Sequence, residues 1–212
     1  MNATASLWLG LTLAVAVCDW VAVALGNKKL EYVCKPLTMV VLIAAAFALD
    51  VSDVTVRNLF VPALVLSLVG DVLLMLPRES LFVFGLGSFL LAHIGYIAGM
   101  WVVGVSAGWL AAGMALVAVA VLALGRRLYR GVKETKPQLA LPVACYIGVI
   151  SVMVASAFGR RHVAAIVGAC LFYASDALIA WDRFVAPKAW ARLAIIITYH
   201  LGQLGLVVSL AG

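Results

Sequence analysis

Six ionisable side chains interrupt long apolar runs: Asp19, Lys35, Asp71, His93, Asp176 and His200. Tyr146, Tyr199 and Gln203 are their neutral polar companions. An ionisable group inside an apolar span is costly and marks function by default. Two carboxyls that share a buried site can divide into a proton donor and a base. That division suits hydrolysis through an oxocarbenium ion, intramembrane aspartyl proteolysis, or proton-coupled transport. Two His with two Asp could also ligate zinc, although no pair has a metal-type spacing. The chain lacks a Gly-x-Ser-x-Gly elbow, a phosphate-cradling loop and a His-Glu-x-x-His helix. It also lacks a Gly-x-Gly-Asp protease signature, since residues 68–71 read Leu-Val-Gly-Asp. Each polar residue has a structural alternative. Asp19 and Lys35 flank one loop and could pair; either Asp could be a neutral packing acid; the His and Tyr could simply bond neighbouring helices.

The elements that must position these residues follow from composition. Of 212 residues, 66% are hydrophobic and 11% charged, and the mean hydropathy is +1.16. Average globular domains carry about 25% charged residues, so a soluble enzyme, a disordered chain and a nucleic-acid-binding domain are excluded as leading readings. At roughly 20 residues per span, the chain divides into eight apolar segments: 5–25, 35–49, 58–76, 81–103, 107–124, 138–158, 162–181 and 189–211. The expected fold is an all-α membrane protein of eight transmembrane helices, a single domain over 1–212. The first segment lacks a basic start and is read as a retained span rather than a cleaved signal. The second opens with Lys35-Pro36, where proline suits a first helical turn. Arg126 to Pro137 is read as a loop.

Charge placement sets orientation. The odd loops carry Lys28, Lys29, Lys35, Arg78, the basic run Arg126 to Lys136, Arg183 and Lys188. The even loops carry Arg57, Arg160 and Arg161. By the positive-inside rule the odd loops face the cytoplasm and both termini lie outside, in what is expected to be a bacterial inner membrane. Asp19, Asp71 and Asp176 then each lie roughly 8–11 Å from the odd-loop end of their span, with Lys35 at that end and His93 and His200 roughly 16–20 Å in. One pocket open to the odd-loop side accounts for this set. The spacing also admits an internal duplication, 1–106 and 107–212, as two parallel four-helix repeats. Pro36 and Pro142, Asp71 and Asp176, Arg78 and Arg183, and His93 and His200 are each about half the chain apart. Cys18, Cys34, Cys145 and Cys170 read as small apolar residues, and Gly95-xxx-Gly99 permits close helix packing.

Several strings together resemble the YhhN family of eight-span membrane proteins, which contains the lysoplasmalogenases. They are Lys35-Pro36-Leu37-Thr38-Met39, Ser67 to Met75 around Gly70-Asp71, and Phe84 to Phe89 leading to Ala92-His93 and Tyr96. Later come Pro142-Val143 with Tyr146, Gly168-Ala169 and Phe172 leading to Ser175-Asp176, Arg183-Phe184, and Tyr199 with Gln203. The resemblance runs from the second segment to the eighth. It implies hydrolysis of the vinyl ether bond of a lysoplasmalogen to a fatty aldehyde and glycerophosphoethanolamine or glycerophosphocholine. It implies Asp71 and Asp176 as the catalytic pair, a lysophospholipid partner from the bilayer, and neither cofactor nor metal. Protonation of the vinyl ether β-carbon gives an oxocarbenium ion, water adds, and the hemiacetal collapses; one Asp donates and the other deprotonates the water. Lys35 would hold the lipid phosphate. His93, Tyr146, Tyr199 and Gln203 would orient the water or glycerol hydroxyl, with Tyr96 and His200 in the same substrate pocket. A proton-coupled transporter and a zinc-dependent lipid hydrolase are the alternatives.

Overall fold

A computed structural model describes residues 2–211. Eight helical segments in it are long and apolar enough to cross a membrane, and among the described residues there is no strand. The chain is an integral membrane protein. The helices are α1 (Ala3–Ala24), α2 (Lys28–Ala48), α3 (Val54–Met75), α4 (Leu81–Val102), α5 (Ala107–Ala120), α6 (Arg126–Thr135), α7 (Ala140–Arg160), α8 (Val163–Phe184) and α9 (Ala191–Val208). A π-helical turn, Val121–Gly125, joins α5 to α6, so the fifth span runs from Ala107 to Thr135. Short polar residues cap α1, α2 and α3. Asn2, Asn27 and Asp53 accept the backbone N–H groups of Ala5, Leu30 and Thr55, satisfying donors that a first turn leaves free. Gly26 at φ 68° turns the chain between α1 and α2, a left-handed conformation that glycine adopts without a steric cost.

Three expectations are corrected. The second span begins at Lys28, not Lys35, because Asn27 caps it and Lys28 pairs with Glu31 one turn on at 3.0 Å. Pro36 therefore sits inside α2 rather than in its first turn, and Lys35 lies roughly 10 Å into the span at 1.5 Å per residue. The stretch read as a loop from Arg126 is mostly helix. In α6, Leu128 and Val132 are buried while Arg126, Arg127, Arg130 and Lys133 are exposed, one turn-spaced apolar face beneath a basic one. Arg192, read as part of the last apolar span, begins α9 on the odd-loop side and pairs with Glu31.

Neighbours in sequence pair in space: α1 with α2, α3 with α4, and α8 with α9. Helix α5 packs on α7, and α2–α3, α4–α7 and α7–α8 contacts join the pairs. Helix α9 also meets α1 and α2, which closes the bundle. The Gly95 and Gly99 positions seat Ala63 and Phe60 of α3. The α8–α9 approach is closer still. A Cβ at Gly168 would stand 2.7 Å from Leu206 N and 2.8 Å from the Gly202 carbonyl. Two backbones thus touch, a small-residue seam typical of membrane helices. Outward-facing Leu7, Leu122, Leu141 and Val163 are 67–74% exposed, as surfaces in contact with lipid chains would be. The core between the helices is aromatic: Phe60, Phe89, Tyr96, Phe172 and Tyr199 are all buried.

Candidate active site

The α8–α9 seam and the α3–α4 pair bring one carboxylate under a converging set of donors. Asp71, in the last turns of α3, is 1% exposed. Its Oδ2 accepts the Tyr199 hydroxyl at 2.5 Å, and the Lys35 ammonium stands 3.1 Å from Oδ1. Behind Tyr199, the Gln203 amide donates to its hydroxyl oxygen at 3.4 Å, and Tyr96 donates to the Gln203 carbonyl oxygen at 2.7 Å. Gln203 lies one turn after Tyr199 on α9, so both face the same way. The Gln203 amide orientation follows from this order, since only its oxygen can accept from Tyr96. The three hydrogen bonds of the chain Tyr96–Gln203–Tyr199 thus donate in sequence toward Asp71.

Asp176, on α8, makes a second and simpler pair. Its Oδ2 accepts the Tyr146 hydroxyl of α7 at 2.6 Å, and no cation among the described residues pairs with it. Unlike Asp71 it is only half-buried. It forms part of the wall of an apolar groove, open in part to the surroundings, that also includes Phe82, Leu86, Phe89, Tyr146, Tyr173 and the π-turn residues Val121 and Leu124. Asp176 is the one charged residue in that wall.

An aromatic layer separates and connects the two pairs. His93 is fully buried, 5.3 Å from the Tyr146 ring and 4.7 Å from the Phe172 ring, both edge-on. Phe172 is in turn 5.3 Å from Tyr199. The order Asp176–Tyr146–His93–Phe172–Tyr199–Asp71 is therefore continuous contact. Neither His93 nitrogen has a hydrogen-bond partner among the described residues. His200 turns away from this layer: its Nδ1 accepts the Trp20 indole N–H of α1 at 3.1 Å. Asp19 is also fully buried, but Lys35 pairs with Asp71 rather than with it. Both Asp19 carboxyl oxygens lack partners among the described residues. Of the anticipated residues, Lys35, Asp71, Tyr96, Tyr199 and Gln203 form one network, Tyr146 and Asp176 a second, and His93 lies between. No three His, Cys, Asp or Glu side chains gather as a metal-holding group among the described residues.

On the odd-loop side a second cavity lies over Lys35, walled by Glu31, Arg78, Glu79, Arg183 and Arg192. It shares Leu74, Phe82 and Ile179 with the apolar groove. Glu31, Glu79 and Arg192 were not anticipated as site residues. Arg192 was concealed because a lone cation next to an apolar run reads as part of the span's edge. Its partner Glu31 is distant in sequence, and no local pattern links them.

The sequence profile of the YhhN family matches residues 30–210. The human protein named lysoplasmalogenase TMEM86B is 36% identical over 69% of this chain and 61% of its own length. The lysoplasmalogenase of Mycobacterium tuberculosis is 37% identical over 84% of this chain and 69% of its own. This chain thus spans about three fifths of the human relative that it matches. No solved structure matches it significantly. The match covers α2 to α9, and with it every residue of the two Tyr–Asp pairs: the chain belongs to the YhhN family.

Proposed function

We propose that the protein hydrolyses the vinyl ether bond of a lysoplasmalogen, with Asp176 as general acid and Asp71 as general base. The observation that carries the reading is the position of Asp176: a lone carboxyl in the wall of an apolar groove, held by one neutral donor. The single alkenyl chain occupies the groove. Tyr146 occupies Oδ2 of Asp176, which leaves Oδ1 to carry the proton toward the substrate. That proton goes to the β-carbon of the vinyl ether, and the ether oxygen's lone pair supplies the new C=O⁺ bond of the oxocarbenium ion. Water attacks the cationic carbon and gives up a proton to the carboxylate side of the pair. Asp71 faces the Lys35 ammonium and so holds the negative charge that offsets the cation. The hemiacetal then breaks its C–O bond to the glycerol oxygen, which takes the proton held by Asp71 while the hemiacetal hydroxyl returns a proton to Asp176, so fatty aldehyde and the glycerophospho alcohol leave and both carboxyls are reset. The names of the relatives, lysoplasmalogenases from human and mycobacterial sources, support the same substrate class.

The basic odd-loop face, which gains Arg192 beside the basic side of α6 already counted there, supports a cytoplasmic orientation for that side. The similar pairing of α3 with α4 and α8 with α9 supports two related halves. The test of function is direct. Purified protein in detergent, given a lysoplasmalogen, is expected to release one aldehyde per substrate consumed. Proton-coupled flux in liposomes without aldehyde would instead establish a transporter, and loss of aldehyde release on chelation would establish a metal hydrolase.

A further inference from the structure

The cavity on the odd-loop side has a charge imbalance that the hydrolytic reading does not require. Each carboxylate in or beneath it already has a cation. Glu31 accepts Arg192 at 2.9 and 3.0 Å and pairs with Lys28 at 3.0 Å. Glu79 pairs with Lys136 and, at 3.7 Å, with Arg183. Asp71 pairs with Lys35. The cavity wall itself sets Lys35, Arg78, Arg183 and Arg192 against Glu31 and Glu79, with Asp71 beneath, and among the described residues Arg78 pairs with no carboxylate. Arg183 is also fixed in place: its guanidinium lies 3.9 Å from the centroid of the Phe82 ring. A planar guanidinium stacked on an aromatic face keeps its N–H edge free for an anion. Phe82 is shared with the apolar groove, so a cationic surface and an apolar surface meet at one ring.

We infer that Arg78, Arg183 and Arg192 form a binding site for the phosphodiester of a single-chain phospholipid whose tail enters the apolar groove past Phe82. The proposal deepens the lysoplasmalogen reading and rests on it for the tail, but it concerns binding and not the bond cleaved. Recognition is by charge and by the forked donors of arginine, which match two phosphate oxygens. It selects for a phosphate and not for a vinyl ether. An ordinary ester lysophospholipid should therefore bind and block the site without being cleaved there, whereas a monoacylglycerol, which has the tail but no phosphate, should bind poorly.

The experiment measures binding to the purified full-length protein in neutral detergent, by competition against a labelled lysophosphatidylethanolamine. Unlabelled lysophosphatidylethanolamine is expected to compete at least about tenfold better than monoacylglycerol, and Arg78→Gln to remove most of that difference. Arg78→Lys, which keeps the charge and loses the fork, should recover part of it. Arg78 is exposed in the α3–α4 turn, so its substitution leaves the bundle intact; Arg192→Gln is a second variant with the same expected direction. Equal competition by the two lipids, or unchanged discrimination in both variants, would overturn the site. Competition by inorganic phosphate as effective as that of the lysolipid would overturn the lipid as its source. Binding as expected with no aldehyde released from lysoplasmalogen would sink the hydrolytic reading and leave this site standing.

Discussion

Tyr199 and Tyr146 distinguish two carboxyls that are alike in type. Tyr199 ends a chain of donors that begins at Tyr96, and Lys35 stands on the other side of the same carboxylate. Among the described residues Tyr146 is the single donor to Asp176. A hydrogen bond to a charged group contributes about 1.5–3 kcal/mol, so Tyr199→Phe should lower the rate of aldehyde release about tenfold or more while the protein stays folded. A normal rate in Tyr199→Phe would show that the donor chain does not serve the reaction. The chemistry itself leaves an isotopic mark. With the reaction run in D2O and quenched promptly, protonation of the β-carbon puts one deuterium on carbon 2 of the aldehyde, as mass spectrometry would read. An aldehyde without it would exclude carbon protonation. At this scale the sequence was informative because charge is scarce: Asp71 and Asp176 stand out against apolar runs. Their partners were legible as polar residues but not as pairs, since Tyr199 meets Asp71 across 128 residues of chain. That Lys35 would choose Asp71 over Asp19 depended on where α2 begins, which periodicity alone did not settle.

The α8–α9 seam is the element-level device that holds Tyr199 and Gln203 over Asp71. Gly168 and Gly202 bring the backbones so close that a Cβ on either would collide with main-chain atoms, which cannot rotate away. Gly168→Val should therefore separate the helices. Overpacking of this kind costs typically about 1–3 kcal/mol, and both the unfolding temperature in detergent and the activity should fall. A variant with unchanged unfolding temperature would mean that the seam is not under that constraint. Six of the eight spans were legible to within a few residues, since long apolar runs between Gly, Pro and charged breaks mark their own ends. The two larger misses share a cause. The first turns of α2 and all of α6 are helical but polar, so an apolar count stops short of them. In α2 the signal was the Asn27 cap; in α6 it was the spacing of Leu128 and Val132 among arginines and lysines.

Across the whole molecule, charge and apolar surface divide the bundle into a basic end and a hydrocarbon middle. The paired cations Lys28, Lys35, Lys136, Arg183 and Arg192 all lie at or near the odd-loop end. If that end is cytoplasmic, Ser80→Cys and Ser52→Cys, on opposite loops and both exposed, should react with a membrane-impermeant maleimide from opposite sides in a background lacking the four natural cysteines. Labelling of both from one side would refute the orientation. The polar cavity and the apolar groove meet at Phe82, and Asp176 lies in the groove wall while Lys35 lies in the cavity wall above Asp71. This division of one path into head and tail compartments was not legible from the sequence, because Leu74 of α3, Phe82 of α4 and Ile179 of α8 come to line both cavities only in space. The most direct test of the central claim is Asp176→Asn. A positioned general acid contributes about 100-fold or more, so aldehyde release from lysoplasmalogen should fall by at least that factor while binding of an ester lysophospholipid is retained. Near-normal turnover in that variant would contradict the account.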